Sequence, residues 1–267
     1  MSIDPDSNRI YWDALADEYQ ASTRISTDDF HFGPLLPGNR ELRVLPRDVA
    51  SRTCLEIGCG GGQNSIYLAK QGARCTAIDI SEQQLVHGRR LAATANVEVT
   101  FECRDMEKLA DRGLGTFDLI HSTHALPFTA CPERVVANAA DMLGASGMMV
   151  LTLSHPVFAG EWLEVDGEGA GLFLRDYFHP AADVRFTGGG DSFIQSCAHP
   201  IGTTIDWLIQ AGLAVESVLE PEPLPIPTMT KTAILERVPY DSAAWRELYE
   251  QIAHVPVVVI FVAIKEN

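Results

Sequence analysis

The sequence predicts an α/β protein built on an open, doubly wound, mostly parallel sheet of seven strands. Two observations carry this. Apolar strand-like runs at 53–57, 73–78, 97–103, 117–121 and 148–153 alternate with helix-like stretches at 64–71, 82–94 and 132–143, and such alternation implies right-handed crossovers with helices on both faces. The final run, VPVVVIFVAI at 255–264, is apolar at successive positions, as a strand buried on both faces requires.

The elements follow in order. Residues 1–50, with an amphipathic stretch at 10–19, precede the first strand and read as a helical cap. Ser81, ahead of Glu82 and Gln84, suits a helix N-cap, and Gly72 and Gly144 suit helix ends. After Ser154 the rhythm changes: residues 155–199 are rich in glycine, aromatics and acids, show no sustained period, and read as a lid inserted into a domain spanning 51–267. Alternation resumes with a helix at 201–211 and a strand at 214–219. A run of alternate prolines from Pro221 to Pro227 then leads to a helix expected at 242–253.

Composition narrows the function. A chain of 267 residues with 46% hydrophobic residues can bury roughly three quarters of its unfolded surface. The formal charge of −16 repels phosphate backbones, so no nucleic-acid partner is expected. The N-terminus lacks the basic start and apolar core of a secretory signal, and the 255–264 run is too short to span a bilayer, so no membrane association is expected. Six cysteines without a C-x-x-C pair read as reduced thiols of a cytoplasmic protein with no metal site.

The stretch LEIGCGGGQN, 55–64, places Gly58, Gly60, Gly61 and Gly62 in the first strand-to-helix turn. There a ligand can lie against bare backbone beside a helix N-terminus. Glu56, two residues before the first glycine, would repel a pyrophosphate and attract a cofactor bearing an amino group and a sulfonium. A nicotinamide dehydrogenase would also show G-x-G-x-x-G, but Gln63 stands at the last position.

Leu55 to Gly62 resembles the first motif of class I S-adenosylmethionine-dependent methyltransferases, and the likeness continues through residues 50–155. Ala77 to Ser81 is similar to the segment whose acid holds the ribose hydroxyls; Cys103 to Met106 is similar to the segment facing the adenine. Phe117 to Ser122 resembles the fourth motif. Leu143 to Met148 resembles the turn before the fifth strand, departing from it at Ala145 and Ser146. The resemblance implies a last strand running antiparallel and a small-molecule methyltransferase, with a place in secondary metabolism, that uses S-adenosyl-L-methionine and releases S-adenosyl-L-homocysteine. It also implies a cofactor site of Tyr19, Glu56, Gly58, Gly60, Gly62, Asp79, Ile80, Asp105, Met106 and His121, with Tyr19 closing over the cofactor.

The HSTH segment ending the fourth strand and His155 after the fifth supply candidates for a base. Alternation lets only one of His121 and His124 face the site, and His124 is preferred. Phe158, Trp162, Phe173, Tyr177 and Phe178 are expected to line an acceptor pocket, with 188–190 as a hinge or tip. A cofactor binder that does not transfer methyl would carry the same motifs.

Overall fold

The computed structural model describes residues 3–266 apart from 112, 160, 165–169, 188–189, 191, 241–245, 248 and 250–252. Helix α1 (Pro5–Thr23) starts where Asp4 accepts from the amides of Asp6 and Ser7, and it ends at Arg24 in a left-handed conformation. A loop and the short α2 (Asn39–Leu42) lead to β1 (Thr53–Ile57). Then follow α3 (Gln63–Lys70), β2 (Arg74–Asp79), α4 (Glu82–Ala95), β3 (Val99–Cys103) and β4 (Phe117–Thr123). Helix α5 (Pro132–Asp141) precedes β5 (Leu143–Ser154). The insertion forms two hairpins: β6 (Glu161–Glu164) with β7 (Ala170–Phe173), and β8 (Asp183–Phe186) with β9 (Phe193–Ser196). Helix α6 (Ile201–Gln210), β10 (Leu213–Leu219), α7 (Lys231–Arg237) and β11 (Val258–Lys265) complete the described elements.

The main sheet has seven strands in the order β10-β11-β5-β4-β1-β2-β3. Pairs within β3, β2, β1, β4 and β5 are parallel; β11 runs antiparallel to both β5 and β10. The order reverses at β1, so the crevice between the carboxyl ends of β1 and β4 is the switch point where open sheets bind ligands. Alternate side chains feed two cores. Cys54, Leu119, Val150 and Ile260 join one; Leu55, Ile120, Met149 and Val259 join the other, together with Val135 and Val136 of α5 and Leu208 of α6.

The stretch expected to be only a cap contributes to the first core, because Phe30, Phe32, Leu35 and Leu36 are fully buried in it. Helix α1 lies on α4 through side chains at helical spacing. Asp13 accepts from the Ser81 hydroxyl at 2.7 Å, Asp17 meets His87 at 2.7 Å, and the Gln20 amide donates to Gln84 Oε1 at 2.8 Å. One expectation changes: Gly144 lies inside β5, since α5 already ends at Asp141. The insertion, expected as a lid, forms the two hairpins among the described residues. The helix expected at 242–253 lies largely outside the described residues.

Candidate active site

The turn between β1 and α3 is shaped by backbone that other residues cannot reproduce. Gly58 and Gly62 both have φ +67; a Cβ on Gly58 would lie 2.1 Å from Ala125 Cβ, and one on Gly62 2.6 Å from Phe101 Cε1. Gly62 N–H bonds the Cys59 carbonyl, which folds the turn over the end of β2. Asp79, the last residue of β2, accepts from Gly60 N–H at 2.7 Å and Ser81 N–H at 2.9 Å, locking the glycine turn to the N-terminus of α4. Burial pushes its carboxyl above the usual carboxylate range, against the pull of those amides.

A cavity of ≈ 730 Å³ opens beside this turn. Gly58, Gly60, Asp79, Ile80, Asp105 and Met106 line it, together with Tyr19 and Trp12 from α1. Three sequence motifs and α1 therefore converge on one wall. Asp105 also caps the short helical turn after it, accepting from Glu107 N–H at 2.9 Å. The Tyr19 hydroxyl donates to that of Tyr240 at 3.1 Å, and Tyr240 lines the same cavity.

Three expected ligands and one candidate base lie elsewhere or are already engaged. Glu56 is 3% exposed and absent from the cavity wall; its Oε2 accepts from Ser65 N–H at 3.0 Å and Ser65 Oγ at 2.6 Å, beneath the first turn of α3. Burial raises its carboxyl to about 7. Gly62 serves the turn and its contact with Phe101 without lining the cavity. His121 is buried away from the cavity, its ring 5.0 Å from that of Phe30 and both nitrogens without a partner among the described residues; burial lowers it to about 3. His155 does line the cavity, yet its Nδ1 accepts from Val157 N–H at 3.1 Å and its Nε2 faces Glu220 at 2.7 Å, so neither nitrogen is free to act as a base.

His124 lies on the cavity wall, its backbone at φ +60 just past the end of β4. Nδ1 approaches Ser154 Oγ at 3.4 Å, while Nε2 is buried toward Gly33. Burial lowers His124 to about 4 and the nearby His31 to about 3, so both rings are neutral at pH 7.

The remaining wall differs from the expected aromatic pocket. Phe158 contributes, but Tyr177 is not part of it; Phe173 and Phe178 turn to solvent, Phe178 at 73% exposure. The side chain of Trp162 and residues 188–189 of the expected hinge lie outside the description. Ala181, Asp183, Arg185 and Ser196 from around the second hairpin supply this side, with Arg185 Nε donating to Asp183 at 2.6 Å. Sequence reasoning missed these residues along with Tyr240 and Gln84. Gln84 did carry a signal, being a polar side chain on the buried stripe of α4 with Leu85, Gly88 and Ala92.

The sequence pattern of a family described as "Methyltransferase domain" matches residues 54–147. Residues 54–147, about a third of the chain, thus carry the pattern of a methyltransferase domain. Two curated relatives named ubiquinone biosynthesis O-methyltransferase align with part of the chain. The one from Idiomarina loihiensis is 32% identical over 35% of this chain and 38% of its own length; the one from Xanthomonas oryzae pv. oryzae is 30% identical over 45% and 50%. The matched region thus spans half or less of each relative. Among solved structures, an S-adenosylmethionine dependent methyltransferase from Mesorhizobium loti shares 23% identity, covering 85% of this chain and 96% of its own with a TM-score of 0.62. The [4+2]-cyclase SpnF shares 17%, covering 97% of this chain and 95% of its own with a TM-score of 0.60. These two likenesses describe the fold.

The cavity wall offers acceptors and bare backbone. The half-buried Asp79 carboxylate at the end of β2 retains lone pairs beyond the two amides it binds. A side chain on Gly60 would enter largely open space, its Cβ meeting only Gln84 Oε1 at 3.8 Å, and the two neutral histidines add no positive charge nearby.

Proposed function

We propose that the protein transfers a methyl group from S-adenosyl-L-methionine to a nitrogen or oxygen of a small organic molecule, with a role in natural-product biosynthesis in the cytoplasm. The observation that carries this reading is the convergence of Gly58, Gly60, Asp79, Ile80, Asp105 and Met106 on one cavity at the carboxyl ends of the strands. S-adenosyl-L-methionine supplies an electrophilic methyl on a positively charged sulfur; the chain's residues have to hold, shield and align.

In this reading Asp79 accepts from the ribose hydroxyls, Asp105 and Met106 flank the adenine, and Tyr19 covers the cofactor from α1. Residues 1–50 and 155–199 complete the acceptor side. His124 Nδ1, next to Ser154 Oγ, receives the proton that the acceptor releases. The printed names of the aligned relatives favour oxygen as the accepting atom, although their matched regions cover only part of each. The chain's negative charge and its concave, largely apolar cavity favour a small molecule over nucleic acid. No described helix is long and apolar enough to cross a membrane.

The test is calorimetric titration with S-adenosylhomocysteine, followed by a labelled-methyl screen of amines, phenols and carboxylates. Saturable binding with transfer to one class supports the reading; absence of binding overturns it. His124→Gln should keep the S-adenosylhomocysteine affinity, lower the rate and remove the acid limb of the pH profile. Because His124 is lowered to about 4, that limb should lie near pH 4, with the neutral imidazole present above it. A second reading, a cofactor binder without methyl transfer, has the fold shared with a [4+2]-cyclase behind it. Binding without transfer to any acceptor class would favour it.

A further inference from the structure

Three glutamines from separate elements form a chain over the glycine turn. Gln63 Nε2 donates to Gln20 Oε1 at 2.7 Å, and Gln20 Nε2 donates to Gln84 Oε1 at 2.8 Å. A Cβ placed on Gly61 would lie within 3.0 Å of both Gln20 and Gln63, so the amides rest directly on the turn. Each amide spends its oxygen on the one before it, and the chain ends at Gln84 Nε2. That nitrogen is buried and has no partner among the described residues, on a residue only 2% exposed that lines the main cavity beside Gly60 and Asp79.

An orphaned buried amide costs roughly 1–3 kcal/mol. Gln84 is also oriented: its backbone N–H is held by Ser81 Oγ, and Ser81 N–H is held by Asp79 Oδ1. Donor and carboxylate are thus set by one helix N-terminus. A carboxylate only accepts, so the ribose hydroxyls it binds must direct their hydrogens toward it; their oxygens then keep lone pairs that need a donor.

We propose that Gln84 is a cofactor-positioning residue, its amide Nε2 donating to a ribose hydroxyl oxygen of the cofactor whose hydrogen goes to Asp79. The inference rests on the cofactor assignment above. It gives the glutamine chain a purpose: α1, through Gln20, and α3, through Gln63, fix the direction of an amide that the ligand completes.

The test uses the full chain and calorimetric titration with S-adenosylhomocysteine and with its 2′-deoxy and 3′-deoxy analogues. Gln84→Met preserves length and packing without the amide, and should weaken S-adenosylhomocysteine about tenfold, the loss of about 1.4 kcal/mol. Against the analogue lacking the hydroxyl that Gln84 addresses, wild type and Gln84→Met should bind alike. Gln84→Glu keeps the acceptor for Gln20 but has no donor when ionised, and should lose at least as much; thermal melts of the unliganded proteins confirm that both variants are folded. Equal S-adenosylhomocysteine affinity in wild type and both folded variants overturns the role of Gln84 alone. A wild type that binds no S-adenosylhomocysteine overturns the cofactor assignment and this inference with it.

Discussion

Replacing Glu56 by glutamine should change how stability depends on pH more than it changes stability itself. The carboxyl group sits in β1, 3% exposed, with both Ser65 donors on one oxygen. Desolvation outweighs those bonds and lifts it from the usual 4.5 to about 7, with the charge of Asp79 adding to the lift. A group raised in the folded state binds its proton more tightly there than in the unfolded chain. The resulting stabilisation is complete below about pH 4.5 and is lost as pH rises through 7. The gap between 4.5 and about 7 corresponds to about 3 kcal/mol. The amide introduced by Glu56→Gln would have nearly the same shape as the carboxyl, would offer one oxygen to the same two donors and would not titrate. Urea unfolding of both proteins at pH 5 and pH 8.5 isolates the effect, because every other titrating group is common to the pair and cancels. Wild type should lose about 3 kcal/mol more than Glu56→Gln across that interval. Parallel losses would refute the reasoning, since the buried carboxyl would then be ionising at its ordinary pH.

Asp79→Ala removes the acceptor proposed for two ribose hydroxyls, and at about 1.5–3 kcal/mol for each charge-assisted bond should weaken S-adenosylhomocysteine roughly 10²- to 10⁴-fold. Unchanged affinity by calorimetry would move the cofactor elsewhere. His121→Phe replaces a ring with two unpartnered buried nitrogens by an apolar one, and should raise stability by about 1–3 kcal/mol with S-adenosylhomocysteine affinity unaltered; loss of affinity would return His121 to the cofactor site. Gly62→Ala forces a side chain into φ +67 and against Phe101, and a cost of about 2–4 kcal/mol should lower the melting temperature on the order of 5–15 °C. A melt indistinguishable from wild type would show that the turn relaxes freely.

The parallel sheet was legible because each strand between 53 and 153 is a short apolar run bounded by a turn or helix cap. The expected 53–57 is β1 itself, and the other runs differ from the observed strands by a few residues at their ends. The hairpins of the insertion were not legible. Every residue of β8, Asp183–Phe186, is exposed, so no buried face imposes alternation on its sequence. Phe173 and Phe178 were expected in a pocket on aromatic content alone, but Phe173 ends the short strand β7, Phe178 lies in the connection to β8, and both are exposed. The choice between His121 and His124 was readable, although strand parity alone is incomplete there. His121 obeys β4, whereas His124 lies beyond its end at φ +60, where alternation no longer governs direction. Gln84 stayed hidden because its meaning depends on Gln20 and Gln63, which are remote from it in the chain and meet it only once α1 and α3 are packed over the turn.

The division between legible and illegible residues follows the division of labour in the cavity. A cofactor shared across a family demands the same turn, the same acid at the end of β2 and the same spacing, and these requirements fall within 54–147, where the family pattern matches. The rest of the lining is assembled from Pro34, His124, Ser154, Asp183, Ser196 and Tyr240, which come from separate segments and mostly from outside that match. Open-sheet topology forces this arrangement, because connections leaving the carboxyl ends of β4 and β5 are the ones that overhang the switch point. Such connections can lengthen at little entropic cost, each doubling adding about 0.6 kcal/mol. On the function proposed above, a chain that keeps residues 54–147 and exchanges the segment between β5 and α6 would change its acceptor without rebuilding the cofactor turn. The Asp183–Arg185 pair tests this separation: replacing both by alanine should alter the acceptor KM in methyl transfer while leaving the dissociation constant of S-adenosylhomocysteine unchanged, and a parallel loss of both would mean that the two walls are energetically one.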